Sequence, residues 1–122
     1  MEIKEISPED FDLVFPRRPT VYDSGAFNML NATKAERIAA LVGFDEGGKP
    51  LMGQIFGLRE GLWRAPFSAP FSAASVMDNI DRDKAVADFY ASVPAILGGR
   101  VRLVWPSAFY GAGTPPEGVD VV

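Results

Sequence analysis

Asp81-Arg-Asp-Lys-Ala-Val-Ala-Asp-Phe-Tyr-Ala-Ser-Val-Pro-Ala-Ile-Leu-Gly-Gly-Arg-Val-Arg-Leu-Val-Trp105 changes its hydrophobic period part-way along. Val86, Phe89, Tyr90, Val93 and Leu97 recur at steps of three and four, which sets them on one face of a helix. Asp81 offers the N-cap oxygen. Pro94 cannot donate to the Tyr90 carbonyl and should kink or end the regular part. Gly98-Gly99 supplies the stop. From Arg100 the period becomes two, with Val101, Leu103 and Trp105 on one face, so 100–105 reads as a strand that Pro106 ends. A helix of this length serves as a crossover, and the strand after it should run parallel to the strand before it.

Upstream, Arg37 to Asp45 is apolar at Ile38, Leu41, Val42 and Phe44 and leads into the hairpin signal Glu46-Gly-Gly-Lys49. Leu51 to Leu58 reads as a second strand, Arg59-Glu60-Gly61 as a tight turn, and Leu62 to Phe67 as a third strand with Pro66 at its end or at a bulge. These three form an antiparallel meander. Between the meander and the helix lies an uncharged segment, Ala65 to Met77, with two prolines and three serines. Residues 1–20 read as an extended start and a loop. Within it Ser7-Pro8-Glu9-Asp10 has helix-start chemistry, enough for a short turn before Pro16 and Pro19. Ser24 caps a short helix through Phe27, Met29 and Leu30 that ends near Asn31. Residues 107–122 show no obvious element. The expected fold is a single α+β domain over 1–122: an antiparallel β-meander, a helix, then a parallel strand.

The bulk composition narrows the chemistry. With 122 residues, 48% of them hydrophobic, the chain has enough apolar side chains for one packed core. Twelve Lys and Arg against sixteen Asp and Glu give −4, and the basic residues are scattered, which argues against a nucleic-acid partner. The absence of cysteine and histidine excludes thiolate nucleophiles, zinc fingers and Ser-His-Asp triads. Any catalysis must use carboxylates, hydroxyls, lysine, tyrosine or backbone amides. The N-terminus, charged from Glu2 onward, does not read as a signal peptide, and no apolar run approaches the ~18 residues of a membrane span. A cytoplasmic protein with no membrane partner is the expectation.

Several segments carry a family resemblance. Val21-Tyr-Asp-Ser-Gly-Ala-Phe-Asn-Met-Leu-Asn31 with Lys34, Gly57-Leu-Arg-Glu-Gly61, Pro66-Phe-Ser-Ala-Pro-Phe71 and Pro106-Ser-Ala-Phe-Tyr110 resemble the N-terminal part of bacterial GNAT- or FemAB-like acyltransferases. The β-β-β-α-β order matches the first half of that fold. The resemblance implies acyl or aminoacyl transfer to an amine, with the donor held where the third and fourth strands splay apart. Acetyl-CoA is the usual donor, its pyrophosphate resting on amides of the loop after the third strand and at the next helix start. Such a cradle needs free N–H groups and glycines. Here Ser72 and Ala73 stand where those families carry two glycines. Pro66 and Pro70 remove two donors, and Asp78, Asp81 and Asp83 bring negative charge to the helix head.

On this resemblance Phe67, Ser68, Phe71 and Ser72 are the candidate cofactor-binding residues and Tyr110 the candidate general acid. The residues themselves leave alternatives. Phe67 and Phe71 also read as plugs into the core, Ser68, Ser72 and Ser75 as turn or cap residues, and Tyr110 as a buried aromatic. Asp78, Asp81 and Asp83 suit a solvated helix start better than a metal site. A half-fold would leave the 100–105 strand with an open edge. That edge would be met by a second copy, in a homodimer, or by a missing second half-domain, the chain being otherwise a fragment or a degenerate relative. Two functions follow: a partial N-acyltransferase, and a non-catalytic binding or self-association domain of the same fold.

Overall fold

The structure, a computed structural model, describes residues 1–69, 72–105 and 116–122. Its frame is a mixed sheet of seven strands: β1 (Glu2–Ile6), β2 (Arg37–Phe44), β3 (Pro50–Arg59), β4 (Leu62–Ala65), β5 (Ser75–Val76), β6 (Arg100–Leu103) and β7 (Asp120–Val121). The spatial order is β1-β2-β3-β4-β6-β7, with the short β5 paired to β3 beside Met52 and Gly53. The first four strands are antiparallel neighbours, while β4–β6 and β6–β7 are parallel. The helices are α1 (Pro8–Val14), α2 (Gly25–Met29) and α3 (Arg82–Leu97), with a 3-10 turn at Val21–Asp23.

The meander follows from its turns. Asp45 accepts from the Gly48 amide at the first turn, with Gly48 at φ +81°. Glu60 and Gly61 both take positive φ at the second, +53° and +76°, the geometry that a two-residue hairpin needs. The β4–α3–β6 crossover then makes the parallel pair, Leu62 to Ala65 facing Arg100 to Leu103.

The period of two divides the core. On one face Ala39, Leu41, Met52, Phe56, Trp63, Ala65, Val101 and Leu103 meet Val86, Phe89, Tyr90, Val93 and Leu97 of α3. On the other, Ala40, Val42 and Ile55 meet Phe11 and Phe15 from and just after α1. Gly53 makes that second contact close: a Cβ there would stand 2.8 Å from both the Phe11 and Phe15 rings. The caps act as their side chains predict, with Ser7, Ser24 and Asp81 accepting from the amides of Asp10, Phe27 and Lys84. Asp12 adds a second cap to α2, accepting from the Gly25 and Ala26 amides at 2.7 and 3.0 Å.

The structure refines some expectations and corrects others, the 100–105 strand among them, which ends at Leu103. The extended start is a full strand, β1, paired along β2. The third strand ends at Ala65 rather than Phe67, and Pro66 follows through a cis peptide. Helix α3 runs past Pro94 to the stop expected at Gly98-Gly99. It continues to Leu97, because the proline lies one turn from the C-terminus, where Gly98 at φ +72° donates to the Pro94 carbonyl at 2.9 Å. Finally, the edge of the 100–105 strand is not open along its length. β7 pairs with Arg102 and Leu103, the Val122 amide donates to the Leu103 carbonyl, and the Trp105 amide donates to the Val122 carbonyl. The chain's own C-terminal residues thus cover that edge from Arg102 to Trp105.

Candidate functional site

The parallel strands β4 and β6 part company at their C-terminal ends. The Val104 amide still donates to the Ala65 carbonyl at 3.0 Å. One residue on, the chain from β4 has turned away at Pro66, and at Ser72 it is back beside β6, the Ser72 amide donating to the Val104 carbonyl at 3.2 Å. Between departure and return lies a wedge-shaped groove of about 340 Å³, lined by Arg64, Pro66, Phe67, Ser68, Arg102 and Val104 among others. Phe67 is half-buried and its position is fixed by a missing side chain opposite. A Cβ on Gly57 would stand 2.6 Å from the Phe67 Cβ, Cγ and Cδ2 atoms. Ser68 is exposed at the mouth.

Ser72 has a different environment. It is 3% exposed, and its hydroxyl donates to Asp23 Oδ1 at 2.8 Å while accepting from Gln54 Nε2 at 2.9 Å. Asp23, 4% exposed, collects four donors: the Ser72 hydroxyl, the Ala73 amide at 2.9 Å, and the Thr20 hydroxyl and amide at 2.8 and 3.1 Å. The Tyr90 phenol, fully buried on α3, donates to Gln54 Oε1. One buried chain of hydrogen bonds thus joins the 3-10 turn, the returning loop, the middle of β3 and the inner face of α3. Burial pushes the Asp23 carboxyl above its ordinary range, against the pull of its hydrogen bonds from Ser72, Thr20 and Ala73. Burial, with the Asp23 charge adding to it, also pushes the Tyr90 phenol far up, so it stays protonated. The network is sealed from the wedge and is built to hold the loop.

Of the sequence candidates, Phe67 and Ser68 come together in the wedge, and Ser72 is drawn into the interior. Phe71 and Tyr110 lie outside the described residues. The start of α3 offers little to an anion, since Asp81 already accepts from the Lys84 amide at 3.2 Å and Asp83 stands in the first turn. Among the described residues no cluster of acidic side chains is arranged to hold a metal ion, and no helix is long and apolar enough to cross a membrane. Asp23, Gln54 and Tyr90 were missed as a group. The available signals were Gln54 standing alone in the apolar run 51–58 and the capping pattern Thr20-x-x-Asp23. Compared with known proteins, the chain matches no family model, no curated protein and no solved structure.

Proposed function

We propose that this chain is the first half of a GNAT- or FemAB-like N-acyltransferase fold, with the wedge between β4 and β6 as its acyl-donor end. The observation that carries the reading is the wedge itself: a parallel pair, joined by a helical crossover, that opens immediately after Ala65. The wedge is lined by the apolar Phe67 and Val104 and the basic Arg64 and Arg102, side chains that can contact an extended donor arm and its anionic groups. The side chains quoted for the resemblance, Phe67 and Ser68, line that opening.

Coenzyme A does not fit the usual cradle here. The Ser72 and Ala73 amides are already spent on Val104 and Asp23, Pro66 has none, and α3 starts on a carboxylate cap. Positive charge beside the wedge comes from Arg64 and Arg102 instead. Arg102 also faces Asp120 at 3.9 Å. A second reading, a binding domain without catalysis, is favoured by the same network: Asp23, Ser72 and Tyr90 are all committed to holding the fold, which leaves the described part of the wedge without an accessible acid–base pair.

Thermal unfolding with acetyl-CoA tests the first reading. A ligand that binds only the folded chain stabilises it by about 2.7 kcal/mol at a hundred times its Kd, so a rise of several degrees is expected, with amide shifts at Ala65, Ser68 and Val104. No rise at millimolar acetyl-CoA would remove this donor. Binding without acetyl transfer to any amine offered would select the second reading.

A further inference from the structure

The face of the sheet that α1 covers is not covered to its end. Under α1 it presents Ala40, Val42 and Ile55. Strand register carries the same face onward through Gly57, Arg64 and Arg102 in one row and Arg59, Leu62 and Arg100 in the next. The apolar face therefore becomes basic where the helices stop. Against it lies a groove of about 440 Å³, lined by Lys34, Arg59, Glu60, Arg64, Phe67 and Ser68, with Leu62 beside them. It adjoins the wedge and shares Arg64, Phe67 and Ser68 with it.

The cations of this groove differ from most others in the chain. Lys4, Arg18, Arg37, Lys84, Arg100 and Arg102 each face a carboxylate. Among the described residues, Lys34, Arg59 and Arg64 form no ion pair. Three cations without an ion pair converge on one concave surface of a chain whose net charge is −4. Concavity focuses their field. With only Glu60 against them in the lining, the three cations repel one another on balance, a cost that a bound anion relieves. Three cations are too few for a nucleic-acid track. Phe67 and Leu62 offer an apolar floor, and the Ser68 hydroxyl a further hydrogen bond. Glu60 is the acidic residue of the lining, and a second carboxylate stands behind it: the Glu60 amide donates to Glu36 Oε1 at 3.2 Å.

We infer that this groove binds a small, multiply charged anion, through Lys34, Arg59 and Arg64. The binding stands on the groove alone and does not depend on the proposed function. Carboxylates and phosphates share the required chemistry, and the two are separated by titrating the ¹⁵N-labelled protein with citrate in one arm and inorganic tripolyphosphate in the other. The expected result is saturable shifts confined to the amides of Lys34, Arg59, Glu60, Arg64, Phe67 and Ser68, weakening with added salt. The arm that saturates at the lower concentration names the class. Lys34→Ser with Arg59→Ser, both exposed side chains, should weaken binding about tenfold or more while the spectrum stays dispersed. Glu60→Gln should tighten it about two- to threefold. Shifts spread over unrelated cations such as Lys49, equal binding by the double variant, or saturation in neither arm would overturn the inference. Acetyl-CoA serves as the independent control. A donor response that persists in the double variant while the polyanion response is lost separates the groove from the wedge. A polyanion response without a donor response leaves the groove standing and removes the donor reading alone.

Discussion

Replacing Asp23 by asparagine exchanges one oxygen for an NH₂ group and keeps the shape of the side chain. In the native interior Oδ1 takes the Ser72 hydroxyl and the Ala73 amide, and Oδ2 takes the Thr20 hydroxyl and amide. An asparagine has one acceptor oxygen. If it turns that oxygen to the loop, its NH₂ meets the Thr20 amide, and if it turns the other way it meets the Ala73 amide. The hydroxyls can rotate, but the backbone N–H groups cannot. One buried N–H is left without a partner in either pose, at about 1–3 kcal/mol, and the bonds that remain lose the strength a charged acceptor gives them. A loss of about 2–4 kcal/mol is expected, or on the order of 10 °C in melting temperature for a chain of this size. Urea unfolding at pH 8, followed through tryptophan fluorescence, measures it. Ser72→Ala completes a double-mutant cycle whose coupling to Asp23→Asn should exceed about 1 kcal/mol. A loss below ~0.5 kcal/mol, or a coupling near zero, would mean that the carboxylate does not hold the returning loop.

The same residue fixes a pH dependence. Burial raises the folded carboxyl above its unfolded range, so the folded chain binds this proton more readily, and stability is lost as pH rises through the folded value. The difference in unfolding free energy between wild type and Asp23→Asn should therefore be larger at pH 4 than at pH 8, and a constant difference across that range would refute it. Gly57→Ala drives a methyl into the Phe67 ring base and should cost about 1–3 kcal/mol, as overpacking does, with Phe67 resonances displaced in NMR spectra. Pro94→Ala restores a donor for the Tyr90 carbonyl within an intact helix and should raise stability by about 1 kcal/mol or more; a destabilised variant would show that the proline packs better than it bonds.

Legibility followed locality. Ser7, Ser24 and Asp81 read correctly as caps because a cap is satisfied within three residues. Helix α3 and the start of strand β6 read correctly because their buried faces recur at 3.6 and 2 residues, while β6 stops at Leu103, two residues before the expected Trp105. The parallel run of β6 beside β4 followed from the length of the crossover. The stop at Gly98-Gly99 was legible too, since a left-handed C-cap is a local feature. β7 is only Asp120–Val121, and nothing in two residues announces a strand whose pairing is supplied entirely by Leu103 and Arg102. The interior network failed for the same reason. Ser72 and Asp23 are 49 residues apart, and Tyr90 and Gln54 are 36 apart, so no window shows them together. Tyr90 was rightly placed on the inner face of α3, but its hydroxyl partner stands on another element. The basic groove was invisible as a patch because Lys34, Arg59 and Arg64 are scattered in sequence and gathered only by the β3–β4 register and by the pairing of the Glu36–Arg37 segment with Leu58.

The rung between the Ala65 carbonyl and the Val104 amide also orders events in time. The hairpins of β2, β3 and β4 close over two to a few residues, so they can form while the rest of the chain is still loose. The Ala65–Val104 rung must wait for α3 to form and cross, a far longer closure with a larger entropy cost. Whatever gathers at the mouth of β4 is consequently assembled late. In pulse-labelled hydrogen exchange during refolding, the Val104 amide should become protected after those of Leu41 and Phe56, so the chain would acquire its stable meander before it acquires its wedge.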